Sequence, residues 1–63
     1  MLFIVYHMRN RGGYFETEEE VTHVEKVPLQ ELEETVRRLY LSKEFRQGMD
    51  WIEIMPEKED KHG

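Results

Sequence analysis

The chain has 63 residues, a formal charge of −5, 37% charged residues and no cysteine. That is one domain at most, of a size that buries only about 60% of the surface its unfolded chain exposes. Disulfides and thiolate metal sites are excluded, a general polyanion-binding role is disfavoured, and self-association or docking on a larger partner is left to supplement a small core.

Residues 2 to 9, Leu-Phe-Ile-Val-Tyr-His-Met-Arg, are β-branched and aromatic and apolar at both odd and even positions, which predicts a strand wanting cover on both faces. The run lacks a basic leader and a small-residue cleavage site, and His7 and Arg9 interrupt it. It therefore reads as neither signal peptide nor membrane span, and a cytoplasmic location is expected. Asn10-Arg11-Gly12-Gly13 supplies turn chemistry for a hairpin. A loop of these residues would pair Arg9 with Tyr14, His7 with Glu16, Val5 with Glu18 and Phe3 with Glu20. On that register Leu2, Ile4, Tyr6 and Met8 face the core, and the odd positions face outward beside a row of glutamates.

The segment 17 to 27 is read as a long or bent strand, with a break near Glu19 giving two strands as one alternative. A short helix capped by Thr17 and Glu20 is the other. Val21, Thr22, Val24 and Val27 favour extended structure. Pro28 opens a helix, with Glu31, Glu33 and Glu34 at its start, Arg37, Arg38, Lys43 and Arg46 toward its end, and Gly48 as the stop. Leu29, Leu32, Val36 and Leu39, widened by Tyr40, form the stripe expected on the sheet, and Leu41 and Phe45 form a smaller flank patch. Asp50 to Met55 reads as the last strand, with Ile52 and Ile54 inward and Trp51, Glu53 and Met55 outward. Pro56 closes it.

The expected fold is a small α+β domain over residues 1–56, of order β-β-α-β. It has a three-stranded (or four-stranded) mainly antiparallel sheet with one helix packed on one face, followed by a charged tail, 57–63. A right-handed crossover through the helix puts strand one in the centre, in the order 2-1-3.

Four constellations carry what functional signal there is. The outer sheet face, with Phe3, Val5, His7, Tyr14, Trp51 and Met55 beside Glu16 and Glu18, has the aromatic and methionine composition of a protein interface. The acidic run 16–20 would suit a basic partner surface, although such runs also solvate strand edges. Arg9 and Arg11, flanking the hairpin turn, are the anion-contact candidates. Arg37, Arg38 and Arg46 would extend them into a nucleic-acid or nucleotide-binding patch, with Tyr14 or Trp51 to stack. His7 with Glu16 and Glu18 could be a metal or acid–base group, but no third group completes it. No nucleophile or metal set is spaced as catalysis requires, so no catalytic residue, cofactor or metal is expected. The leading expectation is a non-enzymatic binding or regulatory protein that self-associates, a dimer being favoured, and acts by occupying a surface of a larger protein. Its size and charge fit a phage or prokaryotic accessory inhibitor. The alternative is the nucleic-acid module.

Overall fold

The computed structural model describes residues 1–13 and 15–58. Its elements are β1 (Leu2–Asn10), β2 (Glu19–Pro28), a 3₁₀ turn (Leu29–Glu31), α1 (Leu32–Tyr40) and β3 (Asp50–Pro56). The strands form one antiparallel sheet in the order β2-β1-β3, the small α+β arrangement expected. β1 is central because the connection through α1 carries the chain across it, from one edge to the other. Among the described residues, no helix is long and apolar enough to cross a membrane.

The hairpin register differs from the expected one. Arg9 pairs with Glu20 and Asn10 with Glu19, so the connection spans 11–18 and the strand that follows begins within the acidic run, at Glu19. Asn10 organises this connection: its Oδ1 accepts from the amides of Gly12 and Glu18, at 2.9 and 3.1 Å. Gly12 is required by close approach, since a Cβ there would lie 2.1 Å from the carbonyl oxygen of Glu16. β2 is continuous from Glu19 and neither a short helix nor two separate strands. It carries a bulge, because His7 faces His23 while Met8 faces Val21.

This register reverses the expected faces of β1. The odd positions meet the helix: Val5 is completely buried and forms the core with Val27 and Leu39, against which Leu32, Val36 and Ile52 pack. Because His7 pairs with Ile52, the odd residues of β1 share a face with the even residues of β3. Phe3 lies on this helix side too, opposite Val27 and Pro56. Leu2, Ile4, Tyr6 and Met8 consequently belong to the uncovered face.

The helix is shorter than its sequence pattern suggested. It ends at Tyr40, where the Leu41 amide bonds back to Arg37 and Ser42 to Leu39. Turns through 41–49 then bring Phe45 onto the sheet, and Gly48, at φ 91°, directs the chain into β3. Leu29 is mostly exposed, while Thr35 is buried with Leu39 on the helix underside. Glu57 extends the sheet by one bond, its amide donating to the Leu2 carbonyl at 2.9 Å. The remainder of the expected tail, residues 59–63, lies outside the described residues.

Val5→Ala is expected to lower the unfolding free energy in urea by about 2 kcal/mol, the transfer and cavity cost of emptying part of a core site. Val5→Glu should leave no folded protein by circular dichroism, since it puts a carboxylate at the centre of that core.

Candidate functional site

Polar residues on a core-facing strand must find partners, and His7 and Arg9 occupy successive positions on the buried side of β1. Both find Asp50. Its side chain is fully covered and accepts four hydrogen bonds: from His7 Nε2 at 2.7 Å and from Arg9 Nε, Arg9 Nη2 and the Arg46 amide at 2.9 Å each. Arg9 is the direct cross-strand partner of Asp50, and its Nη2 also donates to the Glu44 carbonyl at 2.9 Å. Phe45 stacks on the His7 ring, with centroids 5.1 Å apart. Arg9's guanidinium foremost, then the Arg46 amide and His7, holds the Asp50 carboxyl well below the usual carboxylate range, against the burial that would raise it. An ionised Asp50 only accepts, so His7 Nε2 is its protonated nitrogen.

A polar cleft of about 400 Å³ opens beside this network, lined by His7, Arg9, Thr22, His23, Lys43, Glu44 and Arg46. The bulge in β2 shapes one wall, where the Thr22 hydroxyl donates to the His7 carbonyl at 3.1 Å. A second cleft beyond Arg9 is bordered by Arg11, Arg46 and Met49. Arg9, Arg11 and Arg46 thus converge at one end of the sheet. Arg37 and Arg38 do not join them: Arg37 sits near Glu33 on the helix, and Arg38 Nη2 donates to both Glu25 oxygens at 2.7 and 2.8 Å. Arg11 is paired with Glu20.

On the other side of the sheet lies the uncovered face. The register brings together Leu2, Ile4, Tyr6 and Met8 of β1, Val21, Val24 and Lys26 of β2, and Trp51, Glu53 and Met55 of β3. Val21, Val24 and Met55 are each about half exposed, and Met8 is buried between its cross-strand neighbours Val21 and Trp51. Trp51 Nε1 donates to Glu53 at 2.8 Å, and Lys26 Nζ lies 2.7 Å from Glu57.

The expected interface residues are therefore divided. Trp51 and Met55 lie on the open face. Phe3, Val5 and His7 lie on the helix side, because the pairing parity of β1 is the opposite of the one its glutamate row suggested. Glu16 and Glu18 are exposed in the 11–18 connection and do not stand opposite His7 or Val5. Tyr14 falls outside the described residues. Asp50, Thr22, His23, Lys43 and Phe45 of the cleft region were not anticipated. The available signal was the pair His7 and Arg9 on one face of an apolar strand, which called for an acidic partner.

Searches against protein-family models, curated proteins and solved structures find no match.

Asp50→Asn is expected to cost about 3–5 kcal/mol, because it leaves Arg9 with no charge partner in a covered site. The native chain should also lose stability in acid. A carboxyl whose folded value is depressed contributes fully above its unfolded value of about 3.9, and the contribution disappears as pH falls through the folded value. Urea unfolding from neutral to acid pH should show a weaker acid dependence in Asp50→Asn than in the native chain. The slope that remains comes in part from Glu25, which Arg38 and His23 depress in the same sense.

Proposed function

We propose that this chain is a non-enzymatic binding protein that works as a homodimer joined through the open face of its sheet. The observation that carries the reading is the apolar face itself. Leu2, Ile4, Tyr6, Val24 and Met55 lie side by side with no layer over them among the described residues, and faces of this kind on small proteins mark interaction surfaces. The other side is thinly built. Three buried apolar residues form the core cluster beneath one short helix, so burial between copies would supply stability that the monomer lacks.

A second copy fits as the occupant because the face is self-complementary. Lys26 lies on β2 and Glu53 on β3, on either side of β1 and one side-chain row apart. A two-fold axis parallel to β1 sets β2 of one copy over β3 of the other, and brings Lys26 of each, now paired with Glu57 of its own copy, toward Glu53 of its mate, one of whose oxygens Trp51 already holds. An isologous interface requires such a patch, with opposite charges exchanged across the axis. The exposed residues Phe15, Glu16 and Glu18 of the connection stay outside this contact and are the part a dimer would present to a basic partner.

Sedimentation equilibrium should give a dimer mass for the native chain, and monomer for Val24→Glu and Met55→Glu with the circular dichroism unchanged. Both sites are half exposed and leave the core intact. Lys26→Glu and Glu53→Lys should each weaken the dimer severalfold, and the double exchange should restore it, since pairs at an interface rim are worth about 0.2–1 kcal/mol. A native chain that stays monomeric at every concentration would sink the reading.

A further inference from the structure

We propose that the cleft beside His7 is a binding site for a single phosphate-sized oxyanion, either inorganic phosphate or the phosphate group of a small monoester. The argument begins with what the cleft offers a ligand. Its buried carboxylate, Asp50, is turned away and saturated by four donors, so it is not free to hold a cation. What remains toward the cleft is mostly donors and positive charge. Lys43 and Arg46 border it, and among the described residues neither side chain carries an ion pair. Among the described residues Glu44 is the one acidic residue in the lining; its carboxylate acts on Arg9 and offsets part of the positive charge, leaving the cations of Arg9, Lys43 and Arg46 in excess.

His7 adds a directed group. Its Nε2 is committed to Asp50, and its Nδ1 has no protein partner among the described residues. No fully buried polar side-chain atom is left unpaired among the described residues, so Nδ1 keeps some exposure, and His7 is part of the cleft lining. Stacking on Phe45 and the bond to Asp50 fix the ring plane before any ligand arrives. Protonated, Nδ1 donates to an anion; neutral, it accepts from a protonated phosphate oxygen. Thr22 and His23 complete the opposite wall, where the β2 bulge opens the strand edge; the Thr22 proton is spent on the His7 carbonyl and the His23 ring is paired with Glu25, so they shape the cleft rather than supply its donors.

The volume, about 400 Å³, suits a small monoester. A nucleic-acid strand is a poorer fit, because binding a polymer takes a track of cations. Here Arg38 is bound to Glu25, Arg11 to Glu20, and the chain carries a net charge of −5. The cleft lies on the opposite side of β1 from the proposed dimer contact, so the two ideas stand or fall separately.

The test is an NMR titration of the full chain with inorganic phosphate, adenosine monophosphate and a single-stranded oligonucleotide, against chloride at matched ionic strength. Saturable shifts of the His7 and His23 ring signals with phosphate or the mononucleotide are expected. Lys43→Ala with Arg46→Ala should weaken that binding at least about tenfold, the loss of one or more charge-assisted hydrogen bonds. Both side chains are exposed, and Arg46 holds Asp50 through its backbone amide, which the substitution keeps. Equal shifts from chloride, binding undiminished in the double variant, or binding confined to the oligonucleotide would each overturn the proposal.

Discussion

The Asp50 side chain is a carboxylate fully covered from water, and the placement of β3 against β1 and of the 41–49 segment on the sheet depends on how it is satisfied. It begins β3, and its four donors come from β1 and from the segment that follows the helix. A charge so placed is not an obvious source of net stability, because desolvation offsets much of the attraction. Its effect is on uniqueness. Shifting β3 by one residue against β1 would carry Asp50 to the opposite face and leave Arg9 and His7 buried without a partner. The same bonds hold 41–49 down on the sheet, since Arg46 is tied through its amide and Glu44 through its carbonyl. Phe45 can stack on His7 only because this segment is so anchored.

From that pinned register the two faces follow. The helix covers the side carrying Val5, Val27 and Ile52, with Leu39 and Val36 reaching down from above. Its polar surface is tied to the edge strand by Arg38 and Glu25. One helix of this length has nothing left for the other side. Leu2, Ile4, Tyr6 and Met8 of β1 are therefore apolar and, among the described residues, uncovered, which suits an interface better than a solvated surface. The polar end of the helix side is where small-ligand chemistry becomes available, because there the buried charges have consumed the carboxylate and left cations at the rim.

The general architecture was legible in the sequence because it rests on strong local signals. Strand β1, a helical segment following Pro28, the alternation of β3 and the central position of β1 all follow from periodicity, capping chemistry and crossover geometry, although Pro28 itself ends β2 and a 3₁₀ turn precedes the α-helix at Leu32. The hairpin register was not legible. Gly12 and Gly13 mark a turn, yet Asn10 closes a wider connection with its side chain, and the bulge at Thr22 changes the parity of half of β2. With the bulge, Val21 and Val24 fall on one face and Val27 on the other, a spacing that simple alternation cannot express. The glutamates at 16, 18 and 20 looked like one face of a strand, whereas Glu16 and Glu18 precede β2. Helix length differs for a related reason: Phe45 fits a helical flank by spacing, but the helix ends at Tyr40 and the turns that follow stack its ring on His7.

Strand β1 was apolar at odd and even positions alike, and the register assigns each set a separate task. Val5 on the odd side fills the core, and His7 and Arg9 on the same side draw Asp50 beneath the surface and frame the cleft. Leu2, Ile4 and Tyr6 on the even side lie on the face that no other element covers among the described residues. The two sides share one backbone, so whatever fixes one fixes the other. A second copy seated on the even side would bury β1 and β3 together, and would thereby favour the pairing that holds Asp50 against Arg9. An anion at the cleft would draw on the same pairing from the opposite side. The central strand is thus the one element through which association and ligand binding could reinforce each other, each by stabilising the register that the other requires.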